Sequence, residues 1–205
     1  MDQAIEAADW ANSTFCGILQ VYLDSLNAGP SSRKSRLLCT SAARIVYGSV
    51  RHPRLWQIVE YGEDWADNGS PQFGIDEVRR RFRRRRPSLH SQEWAWRDLA
   101  LACIDITPVL QIGRRHFESP YTFADAYREL FPNPFLSLAW KPEWFTPTVR
   151  DLAAHIYDAR DFGAMPVLAD ALQDAGCDEQ VLTHCRASKP HARGCWVVDA
   201  ILGKG

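Results

Sequence analysis

Residues 146–185, TPTVRDLAAHIYDARDFGAMPVLADALQDAGCDEQVLTHC, carry the reading that decides the fold. Thr146 is a helix N-cap type, and Pro147 behind it suits a first helical position because it lacks only an N–H that would be orphaned there anyway. The apolar residues then recur at helical intervals, not in alternation. The spacing predicts helices at about 147–158, 162–175 and 178–186, with a fourth at 194–203, broken at Asp161, Gly176 and Pro190. That rhythm suits an array of helical hairpins.

Working upstream, the same period continues. Phe15, Ile18, Leu19, Tyr22, Leu23 and Leu26 make an apolar stripe over 14–26, ended by Gly29 and Pro30. Ser31 or Ser32 caps a helix carrying Leu37, Leu38, Ala42, Ile45 and Val46, and Pro53 opens one that ends by Asn68 and Gly69. Further stripes run over 75–86 and 91–105, and Thr122 caps a short helix over 122–131. Pro132, Pro134, Pro142 and Pro147 then interrupt the chain in quick succession, which marks a boundary. The expectation is an all-α protein of about nine or ten helices, as a multi-helix bundle or helical-hairpin array. It divides into an N-terminal helical unit over 1–131 with an arginine-rich helix, a proline-rich crossing over 132–146, and a C-terminal helical module over 147–205.

Composition excludes several classes. The 205 residues are 46% hydrophobic and 24% charged, with a net charge of −1, which argues against a disordered chain, a collagen-like fibre or a strongly basic coat protein. The first fifteen residues have acids but no basic n-region, and no apolar run approaches membrane-spanning length, so the expected setting is cytoplasmic with no membrane contact. Six cysteines without framework spacing fit reduced thiols there.

Near-neutrality hides one dense cation cluster. Lys+Arg totals 24, and only Lys34, Lys141, Lys189 and Lys204 are lysines. Arg79, Arg80, Arg81, Arg83, Arg84, Arg85 and Arg86 stand within eight residues, broken only by Phe82. Guanidiniums bind carboxylate and phosphate bidentately, so this run suits an acidic protein surface or a nucleic-acid backbone. Its own helix can instead present it to solvent behind Ile75, Val78 and Phe82. Intramolecular acids (Asp76, Glu77, Glu60, Glu63, Asp64, Asp67) are a further answer to it.

The C-terminal module holds a second constellation. Cys177, His184, His191 and Cys195, with Cys185 as a spare, offer two thiolates and two imidazoles for a tetrahedral structural zinc. The spacing lacks the tight cysteine pair of a zinc finger, and each residue also fits packing or capping, so the first expectation is no cofactor, with zinc as the alternative. A nucleophilic thiol at Cys185 or Cys195, with His184 or His191 and Asp199, can be drawn from the same residues. Asp170 and Asp174, one helical turn apart, are a weaker metal pair. No phosphate loop, dinucleotide fingerprint or HExxH stands in the chain.

The motifs NPF (133–135), WFTPTV (144–149), DFGAMPVLADALQDAGC (161–177) and HARGCWVVD (191–199), with SSRKSRLL, ARIVY and VEYGEDWADNG upstream, carry a family resemblance. The chain resembles a planctomycete-type family, often grouped under SUKH-like labels, for which no activity is established. The resemblance implies a lineage and a domain boundary, and the label would imply an immunity-type protein that neutralises a toxin. The chain departs from the family over roughly 70–120, where the arginine run and Trp94 and Trp96 replace a long alanine-rich helix. Together these readings predict a non-enzymatic protein-interaction module, an adaptor or regulatory accessory subunit with a protein partner. The alternatives are a nucleic-acid-binding accessory protein using Arg79 to Arg86, and a Cys/His enzyme or zinc-stabilised module at the C-terminus.

Overall fold

The computed structural model describes residues 3–14, 19, 32–47, 53–69 and 122–204. Within them the chain is helical and without strands, which fits the all-α class. The helices are α1 (Gln3–Asn12), α2 (Ser32–Tyr47), α3 (Pro53–Asn68), α4 (Phe123–Leu130), α5 (Pro147–Ala159), α6 (Met165–Asp174), α7 (Glu179–Cys185) and α8 (Trp196–Leu202). These eight α-helices compare with the nine or ten expected for the whole chain. The expected helices over 75–86 and 91–105 lie outside the described residues, as does all of 14–26 except the buried Leu19. Helix α1 was not expected, because QAIEAADWAN has no broad apolar stripe; among its described side chains Trp10 is buried. None of the described helices is long and apolar enough to cross a membrane.

Local signals explain the ends. The Thr146 hydroxyl accepts from the Val149 N–H at 3.3 Å, and Asp178 accepts from the Gln180 N–H at 2.9 Å, each satisfying a donor the helix cannot. The Asp125 carboxylate reaches back to the Thr122 N–H at 2.7 Å and so closes the start of α4. The expected helix over 162–175 divides, because Phe162–Ala164 forms a 3-10 turn before α6 begins.

Two apolar cores result. The first joins α1, α2, α3 and α4 through Trp10, Leu37, Leu38, Ile58, Tyr127 and Leu130. The second joins α5 to α8 through Val149, Ile156, Met165, Leu168, Leu172 and Val197. The proline-rich stretch runs between them. Phe135 packs on the first core, while Trp140 and Phe145 pack on the second, Trp140 lying edge-on to Trp196 at 6.0 Å.

The seam between the cores is polar. Asp199 of α8 receives Arg33 Nη1 at 2.8 Å, Arg33 Nη2 at 3.1 Å and Lys34 Nζ at 2.6 Å from α2. Asp67 of α3 receives Arg33 Nε at 3.0 Å and the Tyr157 hydroxyl at 2.5 Å. Arg193 reaches Asp64 at 3.0 Å, and Glu63 is shared by Arg44 and Arg160. A buried charge is tolerated only when paired, so these contacts set which face of one core meets the other.

Candidate functional site

At one end of this seam, four side chains from separate elements converge. Glu129 lies in the last turn of α4, His184 in the last turn of α7, His191 in the following loop, and Cys195 at the N-cap of α8. One donor atom from each lies within 4.8 Å of all the others. Glu129 is 4% exposed and Cys195 is fully buried, while His184 and His191 are half-buried at the edge of the group.

The loop that carries His191 is pressed onto the first core by Gly194. Its φ of +92° belongs to the left-handed region, and a Cβ there would stand 3.1 Å from Leu37 and 3.3 Å from Leu130. Only glycine meets both demands. Lys34 holds the same point by donating to the Gly194 carbonyl at 2.8 Å.

Within the group, Glu129 Oε1 accepts from the Ala192 N–H at 3.1 Å, and Oε2 lies 3.0 Å from His191 Nδ1 and 3.5 Å from His184 Nε2. Burial opposes ionisation of Glu129, but the two imidazoles and the Ala192 N–H outweigh it and hold the carboxyl below its ordinary value. The Trp196 indole N–H donates to His184 Nδ1 at 3.1 Å. An indole can only donate, so the proton of the neutral ring sits on Nε2, facing Glu129 and, at 3.3 Å, Cys195 Sγ. Burial pushes His184 down to about 4, against the pull of Glu129. Burial, with Glu129 and Cys185 adding to it, raises the Cys195 thiol well above its usual range. One atom is left over: His191 Nε2 is buried with no hydrogen-bond partner. Such an atom costs about 1–3 kcal/mol.

Of the four sequence-predicted ligands, His184, His191 and Cys195 come together, while Cys177 does not join them and Glu129 does. Cys177 sits in the turn behind Gly176, packed beside the second core. Burial lifts the Cys177 thiol to about 11. Cys185 is buried in the second core. Asp199, drawn earlier as an orienting acid, is engaged with Arg33 and Lys34 instead. Asp170 pairs with Arg186 at 2.7 Å. The seven arginines over 79–86 lie outside the described residues.

This geometry is poor for a nucleophilic thiol. Such a thiol needs a thiolate, access, and an imidazole whose far nitrogen is held by an acceptor. Cys195 is sealed and protonated, and the far nitrogen of His184 meets the Trp196 donor. A carboxylate, two imidazoles and a thiol are, by contrast, a donor set of the kind that binds zinc. A cleft of about 510 Å³, lined by Arg160, Phe162, Cys185, Lys189 and His191 among others, opens beside the group. Comparison with protein-family models, curated proteins and solved structures finds no match for this chain.

Sequence reasoning missed Glu129 and Trp196. Both sit in ordinary helical patterns, Glu129 facing inward from a short amphipathic helix and Trp196 beside apolar Val197 and Val198. The one local hint was a carboxylate on the buried face of α4.

Proposed function

We propose that the protein is a non-enzymatic interaction module, an adaptor or regulatory accessory subunit, whose arginine run over 79–86 docks on an acidic surface of a partner protein. One observation carries this reading. Three of the upstream acids that could answer the run within the chain are already engaged: Glu63 by Arg44 and Arg160, Asp64 by Arg160 and Arg193, and Asp67 by Arg33 and Arg193. The run packs seven guanidiniums into eight residues of a chain whose net charge is −1, a dense cationic stretch that suits an acidic surface. Bidentate pairing with carboxylates is the chemistry that such a surface offers.

The test compares affinity capture from host extract by wild type and by a variant with Arg83, Arg84, Arg85 and Arg86 changed to glutamate. Circular dichroism shows whether the variant keeps its helices. The expected result is an acidic protein retained by wild type and lost by the folded variant. The same proteins retained by both would overturn the reading. A parallel titration against nucleic acid, with affinity falling steeply as salt rises, would replace it by a phosphate-binding role.

A further inference from the structure

We propose that Glu129, His184, His191 and Cys195 bind one zinc ion, which ties α4 of the first core to the α7–α8 corner of the second. The site differs from the set that the sequence offered, since Glu129 takes the place of Cys177, and it is independent of any partner on the arginine run.

Four observations converge. The donor types are those zinc takes, one from each of four elements, so the ion would cross-link segments far apart in sequence. Three of the six donor separations stand near what zinc needs, and all six lie within 4.8 Å. Zinc bonds of 2.0–2.3 Å imply tetrahedral edges of about 3.3–3.8 Å. The separations here are 3.0 Å between Glu129 and His191, 3.5 Å between Glu129 and His184, and 3.3 Å between His184 and Cys195. The frame is also stiff before any ion arrives: Ala192 N–H holds Glu129, and Gly194 seats the loop against Leu37 and Leu130. The adjoining cleft, which His191 lines, gives an entry path.

Proton balance is simple. Glu129 enters as carboxylate, and the proton that His191 Nδ1 now directs at Glu129 moves to Nε2 as Nδ1 takes the metal. The Cys195 thiol releases one proton to solvent as its sulfur binds. At His184 the ring proton moves from Nε2 to Nδ1 as Nε2 takes the metal. The Trp196 indole N–H then loses its acceptor and must turn away, so Trp196 reports on loading.

The experiment uses the full chain. Protein purified without added chelator is analysed for metal, then stripped and titrated with Zn²⁺ and with Co²⁺. Wild type is expected to hold one equivalent of zinc. Cobalt loading should bring visible d–d bands and a near-ultraviolet thiolate charge-transfer band, and the tryptophan emission should change. Cys177→Ser should keep all of these. Cys195→Ser should lose the charge-transfer band, and Glu129→Gln should weaken zinc by more than about 100-fold, beyond the effect usual for a residue that only supports a ligand. Folded wild type that carries no zinc and shows no cobalt bands overturns the proposal without reference to any variant. Loss of the charge-transfer band in Cys177→Ser, with Cys195→Ser unaffected, overturns this ligand set.

Discussion

The first core closes around Leu37, Ile58 and Tyr127 and the second around Ile156, Leu168 and Val197, while the seam between them closes around Arg33, Lys34, Asp67 and Asp199. The difference is one of tolerance. Apolar burial is non-directional, and a truncated side chain costs in proportion to the area and cavity involved. A buried ion pair adds little over an apolar contact of the same shape, yet removing one partner strands the other charge away from water. The cores therefore supply stability, and the seam supplies the particular way in which they meet.

The largest effect should come from Asp199→Ala, which removes the carboxylate that Arg33 and Lys34 share where they are 14% and 12% exposed, leaving two cations side by side on Asp67 and backbone carbonyls. A loss of about 3–5 kcal/mol is expected in urea unfolding, together with a shallower or two-step transition as the cores uncouple. A single transition of unchanged slope would show that the seam does not couple them. Leu168→Ala, at a fully buried position of the second core, should cost about 2–5 kcal/mol and move the midpoint while keeping one steep transition. If it splits the transition as Asp199→Ala does, the contrast between core and seam fails.

Gly194→Ala tests the loop that joins the two regions. The new methyl meets Leu37 and Leu130, and the backbone lies at φ +92°, so about 1–3 kcal/mol of thermal stability should go. Asp125 gives the smallest effect, at the rim of the seam. Burial would raise its carboxyl, but the Lys189 ammonium and the donors of Thr122 outweigh burial and hold it below its ordinary value. The folded state thus binds fewer protons than the unfolded one in this range. Its contribution is complete above about pH 4, the unfolded value, and vanishes as pH falls through the lower folded value. Asp125→Asn should therefore be the less stable protein at pH 6, with the gap closing below about pH 4. A gap constant down to the acid limb would assign it to the lost Thr122 contact rather than to charge.

Much of the helical layout was legible from local signals. Pro53, Thr122, Thr146 with Pro147, and Asp178 each mark a start by satisfying or omitting donors that the first turn leaves open. Gly176 and Gly203 mark stops by taking positive φ. The residues over 162–164 suit a longer helix by spacing alone, because a 3-10 turn keeps nearly the same apolar intervals. The ligand types His184, His191 and Cys195 were legible as a group because they fall close together in sequence. Cys177 fits the same grouping, but its turn packs beside the second core and away from the group.

What the sequence determined by itself was the all-α class, most helix ends among the described residues, and the presence of metal-binding side chains near the C-terminus, all consequences of interactions between residues a few positions apart. Tertiary structure alone decided that Glu129 joins them, that Trp196 sets the His184 tautomer, and that Asp199 answers Arg33 and Lys34 across the seam. Glu129 lies 62 positions from His191 and Asp199 lies 166 from Arg33, so no helical period links them. They meet because two apolar cores must bury their own faces first, and the charges left at the boundary can shed water only where an opposite charge is waiting.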